Sequence, residues 1–298
     1  MTKQFSGVWP AMLTPITPNG DVNLPAIDQL VELFVSQQLG GLYITGSTGQ
    51  WPLLGPDRRR QIVERTTKAS SGRIPVMVHV GANSTEESVA LAKQAGTAGA
   101  DAVSAVAPPY YPYSADAVFE HYRRIGESTE LPLYVYHLSN TNVLNLDAED
   151  YVARLLKLPN IAGMKFTDGN LFQLGLLQAA ARGKLQLFSG ADEVLCQAVL
   201  CGTIGAIGTF YNVWGTTCKK MRQAVVTGDV ASGTEFMLRF QSALAKVIRS
   251  AGIFKFLRRA MQLKYDIDVG LPIPPLGAAD REWSDDDVRQ VLTLVEGE

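Results

Sequence analysis

The chain has 298 residues, enough for two average domains or for one α/β barrel of about 250 residues with an extension. Its hydrophobic fraction of 46% and net charge of −2 are those of a globular protein with a large core, and the lack of any basic run argues against nucleic acid as a partner. No apolar segment approaches the roughly 18 residues that span a bilayer, the N-terminus lacks a signal-peptide core, and the three cysteines are scattered, so we expect a cytoplasmic protein without membrane contacts, disulfides or zinc.

Short apolar runs alternate with amphipathic helical patterns through most of the chain. Short apolar runs bounded by turn residues predict buried strands, and apolar residues at spacings of three and four predict helices. The predicted strands cover residues 8–12, 42–44, 75–80, 101–106, 132–136, 161–166, 184–188 and 206–209. The predicted helices cover residues 24–38, 58–69, 85–96, 118–127, 151–157, 171–181 and 193–200, and we expect Ser84 to cap the third of them.

About eight β-α units with short connections predict an α/β fold, the (β/α)8 TIM barrel. An open doubly wound sheet is the competing architecture, but no GxGxxG motif follows the first strand to support dinucleotide binding. The alternation ends after Asn212, and residues 219–226, 234–249, 254–265 and 285–294 have helical patterns. We therefore expect a barrel over residues 1–212 and a C-terminal helical extension over residues 213–298, packed together as one structural domain.

The sixth predicted strand carries one lysine, Lys165, among the apolar side chains of Ile161, Met164 and Phe166. Burying an ammonium group is costly unless it is paired or loses its proton. An amine without that proton is a nucleophile that forms Schiff bases with carbonyl compounds. The alternative is a lysine at a strand end with its head in water, which is the commoner case for an arbitrary lysine.

The chemistry of such a barrel lies at the carboxyl ends of its strands, so these ends supply the site candidates. The second strand ends in a Gly-Ser-Thr-Gly turn, where Ser47, Thr48 and nearby backbone N–H groups can hold a carboxylate. The fifth strand ends at Tyr136, whose hydroxyl can relay protons beside an imine-forming lysine. A polar turn and a half-buried strand tyrosine are the simpler structural interpretations of these two ends.

Three other strand ends carry polar or aromatic residues. The fourth strand runs into an aromatic loop that includes Tyr110, and such a loop is as compatible with packing as with catalysis. The seventh runs into Gly190, Asp192 and Glu193, whose acidic pair suits either sugar hydroxyls or the N-terminus of the next helix. The eighth ends at Thr209.

Four features occur together in one order along the chain: residues 46–49, residues 109–112, Tyr136 and residues 163–167. In this combination the chain resembles the class I pyruvate-dependent aldolases, the family that includes N-acetylneuraminate lyase and dihydrodipicolinate synthase. The resemblance implies that Lys165 forms the Schiff base with pyruvate, that Tyr136 shuttles protons, and that Ser47 and Thr48 bind the pyruvate carboxylate. It also implies an oligomer, commonly a homotetramer, in which Tyr110 reaches the site of a neighbouring subunit.

Within the family, the chain is most similar to the N-acetylneuraminate lyase branch. By that resemblance, the residues that contact the sugar chain are Thr167, Gly190, Asp192 and Glu193, and Thr209 keeps a hydroxyl where those lyases often have serine. Dihydrodipicolinate synthases usually hold the carboxylate of their second substrate with an arginine, and the corresponding position here is Thr141. Two departures from the lyases, at Gln50 and in the segment that begins with His137, leave another aldehyde acceptor open.

The leading hypothesis is a Schiff-base aldolase that reversibly cleaves a 2-keto-3-deoxy sugar acid to pyruvate and an aldehyde, as N-acetylneuraminate lyase does. The alternatives are another 2-keto-3-deoxy sugar-acid aldolase, dihydrodipicolinate synthase, and a keto-acid-binding sensor without activity. We expect no cofactor beyond the lysine imine, because His79, His121 and His137 lack ligand-spaced partners for a metal. His137 is the histidine that we expect near the pocket, whereas His79 suits a buried, hydrogen-bonded position. The identity of the aldehyde and the physiological direction stay open.

Overall fold

The structure is a computed structural model that describes residues 5–138, 146–250 and 252–297. Eight strands are found within these ranges: β1 (Gly7–Pro10), β2 (Leu42–Ile44), β3 (Val76–His79), β4 (Ala102–Val106), β5 (Leu133–Leu138), β6 (Ile161–Thr167), β7 (Gln186–Ser189) and β8 (Gly205–Gly208). Thr141, the position at which the sequence argues against dihydrodipicolinate synthesis, lies outside the described residues.

Helices follow the strands and then continue beyond the last one. In the described part of the chain they are α1 (Leu24–Ser36), α2 (Pro56–Ser70), α3 (Thr85–Thr97), α4 (Ala115–Glu127), α5 (Ala148–Leu155), α6 (Leu171–Ala181), α7 (Gln197–Leu200), α8 (Tyr211–Val226), α9 (Val230–Arg249), α10 (Ile253–Tyr265) and α11 (Asp285–Glu296). Ser84 caps α3 as predicted, because its hydroxyl accepts a hydrogen bond from the Glu87 N–H at 3.2 Å. None of the helices in these ranges is both long and apolar enough to cross a membrane.

The strands form one parallel sheet in the order β1-β8-β7-β6-β5-β4-β3-β2. A bridge between Ala11 and Tyr43 joins the two ends of this order, and the Met12 N–H donates to the Tyr43 carbonyl at 2.8 Å. The sheet therefore closes on itself, and the predicted (β/α)8 barrel is confirmed.

Side chains alternate between the inside of the barrel and the surrounding helices, as the strand geometry requires. On β5, for example, Tyr134 packs in the interior with Trp9 and Phe188, whereas Val135 belongs to the core between strands and helices. Lys165 and Tyr136 are paired in the register of β5 and β6. They follow the interior aromatic layer toward the carboxyl ends of the strands, where the candidate site lies.

Two helices differ from their prediction by more than a shift of a few residues at their ends. The seventh is a 3-10 turn over Asp192–Val194 followed by four residues of α7, because the turn residues are tied to the neighbouring strand end rather than to a helix. The eighth begins at Tyr211, well before residue 219, and is bent where Trp214 leaves helical geometry with φ −117° and ψ 28°. That bend interrupts the apolar period on which the sequence prediction depends.

The C-terminal helices pack on the barrel through α8 and α9, and α11 packs on α9 and α10. The segment after α10 also returns to the strand ends, since Gly270 bridges to Ile16 and the Ile273 N–H donates to the Gln50 side chain at 2.7 Å. The division at residue 212 stays a prediction, and helix α8 runs through it.

Candidate active site

Lys165 is buried, with 4% of its surface exposed, so the alternative of a lysine with its head in water is wrong. Its Nζ atom lies 4.1 Å from the ring centroid of Tyr136 and 4.3 Å from that of Tyr43. Aromatic faces attract a cation, and this attraction is stronger where water is excluded. The strand therefore presents one amine to a compact aromatic pocket, as the Schiff-base hypothesis requires.

Tyr136 is buried beside the amine, and its hydroxyl lies 3.4 Å from Ser47 Oγ. Burial by itself would raise the pKa of Tyr136, but the positive charge of Lys165 and the Ser47 and Thr167 hydroxyls outweigh it, so the pKa of Tyr136 is lowered. A phenol with a lowered pKa next to an amine can accept and return protons. The predicted proton relay thus has suitable geometry and electrostatics.

Three hydroxyl groups surround this pair on the β2 and β8 sides. Ser47 is exposed at the rim, whereas Thr48 is buried and its Oγ1 lies 2.7 Å from Oγ1 of Thr209. The turn that carries Ser47 and Thr48 begins at Thr45, which has a left-handed φ of 53°. Ser47 and Thr48 were predicted as carboxylate binders, and the structure places both near the lysine pocket.

Thr167 and Gly190 meet at the ends of β6 and β7. The Gly190 N–H donates to the Phe166 carbonyl at 2.6 Å, and a β-carbon on Gly190 would overlap the Thr167 hydroxyl. Thr167 Oγ1 is buried and forms no hydrogen bond of normal geometry, although it contributes to the lowered pKa of Tyr136. A buried hydroxyl that lacks a hydrogen-bond partner in the protein is suited to form a hydrogen bond with a ligand.

Asp192 and Glu193 have different environments. The Asp192 carboxylate is buried and accepts hydrogen bonds from the N–H groups of Thr209 at 3.0 Å and Phe210 at 3.1 Å. Burial raises the pKa of Asp192 to about 7, although those two N–H donors act in the opposite direction. Glu193 is exposed, and its backbone carbonyl accepts from Gln241. Asp192 therefore holds the end of β8 in place, and its contact with a sugar chain stays a prediction.

Tyr110 is not brought into this cluster by its own chain. It lies in the loop between β4 and α4 with 79% of its surface exposed, and its ring packs edge-on against Tyr111 at 4.8 Å. Tyr111 in turn packs against Tyr113 at 6.0 Å. The catalytic role predicted for Tyr110 would require a second copy of the chain.

The profile of the dihydrodipicolinate synthetase family matches residues 4–293 of this chain. The chain belongs to this family. N-acetylneuraminate lyases from Citrobacter koseri and Salmonella typhimurium are each 33% identical to it over 284 residues, which are 95% of this chain and 95% of each relative. The predicted resemblance is confirmed, and with it the assignment of the chain to lyases of the class I aldolase type.

Solved structures agree with the sequence comparison. The N-acetylneuraminate lyase of Proteus mirabilis has a TM-score of 0.88 and 26% identity, with 99% of each chain covered. The enzyme of the same name from Mycoplasma synoviae has a TM-score of 0.87 and 26% identity, with 98% of this chain and 97% of the other covered. A putative dihydrodipicolinate synthetase from Pseudomonas aeruginosa, 23% identical with a TM-score of 0.89, shares the fold.

Two residues that we expected to shape the acceptor pocket of this family member lie elsewhere. His137 stacks on Phe166 with ring centroids 4.9 Å apart and an angle of 11°, on the face of β5 opposite to Tyr136. Burial lowers the pKa of His137 to about 4, despite the nearby Asp168. The expectation failed because neighbouring residues of a strand point to opposite faces.

Gln50 is the second residue that we expected to shape the acceptor pocket. It has a left-handed φ of 61° and is buried, and its Oε1 accepts from the Ile273 N–H. The side chain thus joins the C-terminal segment to the β2 turn. Sequence reasoning could not see this partner, because it lies more than 200 positions further along the chain.

Four residues around the relay were not assigned to the site from the sequence, although His79 is buried and hydrogen-bonded as the sequence predicts. Tyr43 lies under the amine, Trp51 forms an apolar wall with Tyr136, and His79 and Arg59 lie behind them. The inward alternation of β2 could have indicated Tyr43, but the others depend on contacts between separate β-α units. As to metals, the described residues include no group of three or more His, Cys, Asp or Glu side chains that could hold an ion; a metal-independent reaction stays a prediction.

Proposed function

We propose that the protein is a Schiff-base aldolase that reversibly cleaves a 2-keto-3-deoxy sugar acid to pyruvate and an aldehyde, in the manner of N-acetylneuraminate lyase. The observation that carries the proposal is the buried Lys165 amine against the Tyr136 ring, with the Tyr136 hydroxyl 3.4 Å from Ser47 Oγ. Binding of a keto acid alone would need neither a nucleophile nor a proton relay. This argues against the sensor alternative.

The reaction begins when the deprotonated amine of Lys165 attacks the C2 ketone of the substrate. The carbinolamine loses water, with Tyr136 supplying the proton that the leaving hydroxyl needs, and an iminium ion results. Tyr136 then takes the proton of the C4 hydroxyl, the C3–C4 bond breaks, and its electron pair enters the iminium to give an enamine while the aldehyde leaves. Protonation at C3 and hydrolysis of the imine release pyruvate and restore the amine.

The polar groups around the lysine suit the two ends of such a substrate. Ser47 and Thr48 would hold the carboxylate next to the imine carbon, which keeps the reacting carbon fixed against the amine. The sugar chain would then extend toward the group formed by Thr167, Gly190, Asp192, Glu193 and Thr209. The unpartnered Thr167 hydroxyl and the exposed Glu193 are the members of this group that remain available to substrate hydroxyls.

The wall beside Tyr136 favours a second candidate, an aldolase for another 2-keto-3-deoxy sugar acid. Trp51 and Val106 form an apolar cluster with Tyr136, and Leu138 packs against it. An apolar wall excludes hydroxyl groups that it cannot pair, so a sugar acid with a shorter hydroxylated chain than that of sialic acid would fit beside it. The identity of the aldehyde therefore has to be determined with a panel of substrates.

The proposal includes a homotetramer in which Tyr110 of one subunit completes the relay of its neighbour. Tyr110, Tyr111 and Tyr113 expose 79%, 65% and 41% of their surfaces side by side. A contiguous exposed aromatic patch marks an interaction surface in a protein that folds on its own. Sedimentation of the wild type and of Tyr110→Ala tests the assembly, and the kcat of Tyr110→Ala in a variant that still assembles tests the role in the relay.

Trapping with borohydride tests the nucleophile. Borohydride and pyruvate should attach a reduced adduct to Lys165 in the wild type, which peptide mass spectrometry locates. Lys165→Ala should give none, whereas Lys157→Ala, which changes an exposed lysine, should trap as the wild type does. The absence of any adduct in the wild type would refute the proposed chemistry.

A substrate panel tests the acceptor. Pyruvate release from sialic acid, from other 2-keto-3-deoxy sugar acids and from 4-hydroxy-2-oxoglutarate should single out one class, and condensation of pyruvate with aspartate semialdehyde tests the remaining family reaction. Activity that survives a chelator would support the metal-independent mechanism, and its loss would favour a metal-dependent aldolase.

A further inference from the structure

His79 lies at the end of β3, fully buried behind the relay tyrosine. Its ring meets Tyr136 edge-on with centroids 5.9 Å apart at 85°, and Trp51 covers it at 5.4 Å. Tyr43 packs edge-on against Tyr136 at 6.2 Å. The Tyr136 ring, whose hydroxyl would relay the protons, is thus held between the rings of His79 and Tyr43, and its position depends on them.

Both nitrogens of His79 are committed to the backbone of neighbouring strand ends. Nδ1 donates to the Thr45 carbonyl at 3.1 Å, and Nε2 accepts from the Val106 N–H at 3.3 Å. A backbone carbonyl can only accept and a backbone N–H can only donate, so these partners define the neutral tautomer with its proton on Nδ1. Protonation of Nε2 would place its N–H opposite the Val106 N–H, and two donors cannot form a hydrogen bond. Burial and the nearby positive charges of Arg59 and Lys165 lower the pKa of His79 well below its usual value.

These two hydrogen bonds join the strand ends that carry the site. Thr45 is the left-handed residue from which the turn with Ser47 starts, and Val106 ends β4 and belongs to the wall around Tyr136. The imidazole therefore couples the position of Ser47 to that of the Tyr136 ring. The Ser47 and Tyr136 oxygens lie 3.4 Å apart across these strand ends.

Arg59 fixes the backbone at this histidine from outside the barrel. It is 1% exposed, and its guanidinium donates to the carbonyls of His79 at 2.6 Å and Gly81 at 2.9 Å. Its charged end also lies 5.7 Å from the ring centroid of Trp51. A side chain on Gly81 would come within 2.8 Å of His79 Nε2, so the glycine leaves the space that the imidazole fills. Arg59 and Gly81 thus fix the backbone and the space around the imidazole, in addition to the two hydrogen bonds that the imidazole itself forms.

We propose that His79 is a positioning residue of the aldolase site, which joins the ends of β2 and β4 and thereby holds the Tyr136 hydroxyl opposite Ser47. It does not exchange protons with the substrate, since both of its nitrogens are occupied. This inference rests on the proposed function. It assigns a role in the reaction to a histidine that the sequence alone marks as structural.

The test compares His79→Phe with His121→Phe. Phenylalanine keeps a ring at position 79 but removes both hydrogen bonds. His121 is the matched control because it is also buried, at 2% exposure, and its Nδ1 is hydrogen-bonded to Thr85 Oγ1 at 3.0 Å between α3 and α4, away from Lys165. Steady-state kinetics of pyruvate release, thermal unfolding and borohydride trapping with pyruvate are measured on both variants and on the wild type.

His79→Phe should lower kcat about 100-fold, because a displacement of the order of 1 Å costs a catalytic group about that factor. KM should change by less than about threefold, because the positioning acts in the transition state rather than in substrate binding. The final yield of trapped pyruvate should equal that of the wild type, since Lys165 is untouched. His121→Phe should lower the melting temperature without lowering kcat.

Two results would overturn the inference: a kcat for His79→Phe that matches the wild type, or an equal loss of kcat in His121→Phe. If His79→Phe does not fold, His79→Leu, which also removes both hydrogen bonds, gives the same test, and full kcat in that variant refutes the role. Failure of the wild type to trap pyruvate would instead refute the proposed function itself, so the two failures are distinguishable.

Discussion

Gly190→Ala is the sharpest perturbation that the site offers. The added methyl group would overlap the Thr167 hydroxyl and lie 2.9 Å from the Thr167 β-carbon and 3.1 Å from Lys165 Cε. Rotating the Thr167 side chain relieves only the first of these contacts. The β-carbon does not move on rotation, so the strand end or the lysine must shift.

The cost follows from overpacking. Inserting a methyl group into a filled core destabilises a protein by about 1–3 kcal/mol, which lowers the melting temperature by roughly 2–6 °C in a chain of this size. The lysine stem is one of the two groups that can yield, so the amine moves relative to the Tyr136 ring. We expect the rate of pyruvate trapping and kcat to fall about 100-fold, as for a catalytic group displaced by roughly 1 Å.

Gly169→Ala is the matched control. Gly169 follows β6 by two positions, and nothing lies within 4 Å of a β-carbon added there. Thermal unfolding and the time course of borohydride trapping should leave this variant like the wild type and separate Gly190→Ala from both. If the two alanine variants show equal melting temperatures and equal trapping rates, the close packing of Thr167, Gly190 and Lys165 is wrong.

Three further changes test individual groups. Burial raises the pKa of Asp192 to about 7, above about 3.9 in an unfolded chain, so the wild type should lose up to about 4 kcal/mol of unfolding free energy between pH 4 and pH 7. Asp192→Asn should lack this slope in urea unfolding, and equal slopes would contradict the assignment. The pKa of Tyr136 is lowered against burial by the neighbouring lysine and by the Ser47 hydroxyl, so Ser47→Ala should move the rise of kcat to higher pH; an unchanged pH profile counts against the relay. Gln50→Ala leaves the Ile273 N–H unpaired and should cost about 1–3 kcal/mol without changing the preferred aldehyde, whereas a changed preference would return Gln50 to the pocket.

The elements of the barrel could be predicted where local pattern and tertiary packing agree. Strand β2 and helix α6 have the predicted bounds, residues 42–44 and 171–181, because glycine or polar turns stop the pattern at both ends. Helix α8 could not be bounded, since the bend at Trp214 breaks its apolar period. The closure of the sheet through Tyr43 is a long-range pairing, which the alternation of strands and helices indicates only as a class of fold.

The site residues also fall into those that the local sequence pattern predicts and those that it does not. The places of Lys165, Tyr136, Ser47 and Thr48 at the carboxyl ends of strands could be predicted from the alternation of strands and helices, and their roles stay predictions. His137 was misplaced because it also stands at a strand end, one position beyond Tyr136, and only the alternation of faces separates the two. Side chains that contact the site from distant β-α units cannot be predicted from the spacing of residues along the sequence.

The surroundings of Lys165 also fit the role of nucleophile that we propose for its buried amine. The Lys165 amine lies against the ring faces of Tyr43 and Tyr136 and also acts on the Tyr136 hydroxyl, and no carboxylate of the described residues forms an ion pair with it. A buried carboxylate partner would be left as an uncompensated charge when the amine loses its proton, which costs several kcal/mol. Ring faces hold the cation with only about 0.5–2 kcal/mol and leave no charge behind. The aromatic pocket therefore holds the Lys165 amine without placing a buried counter-charge beside it.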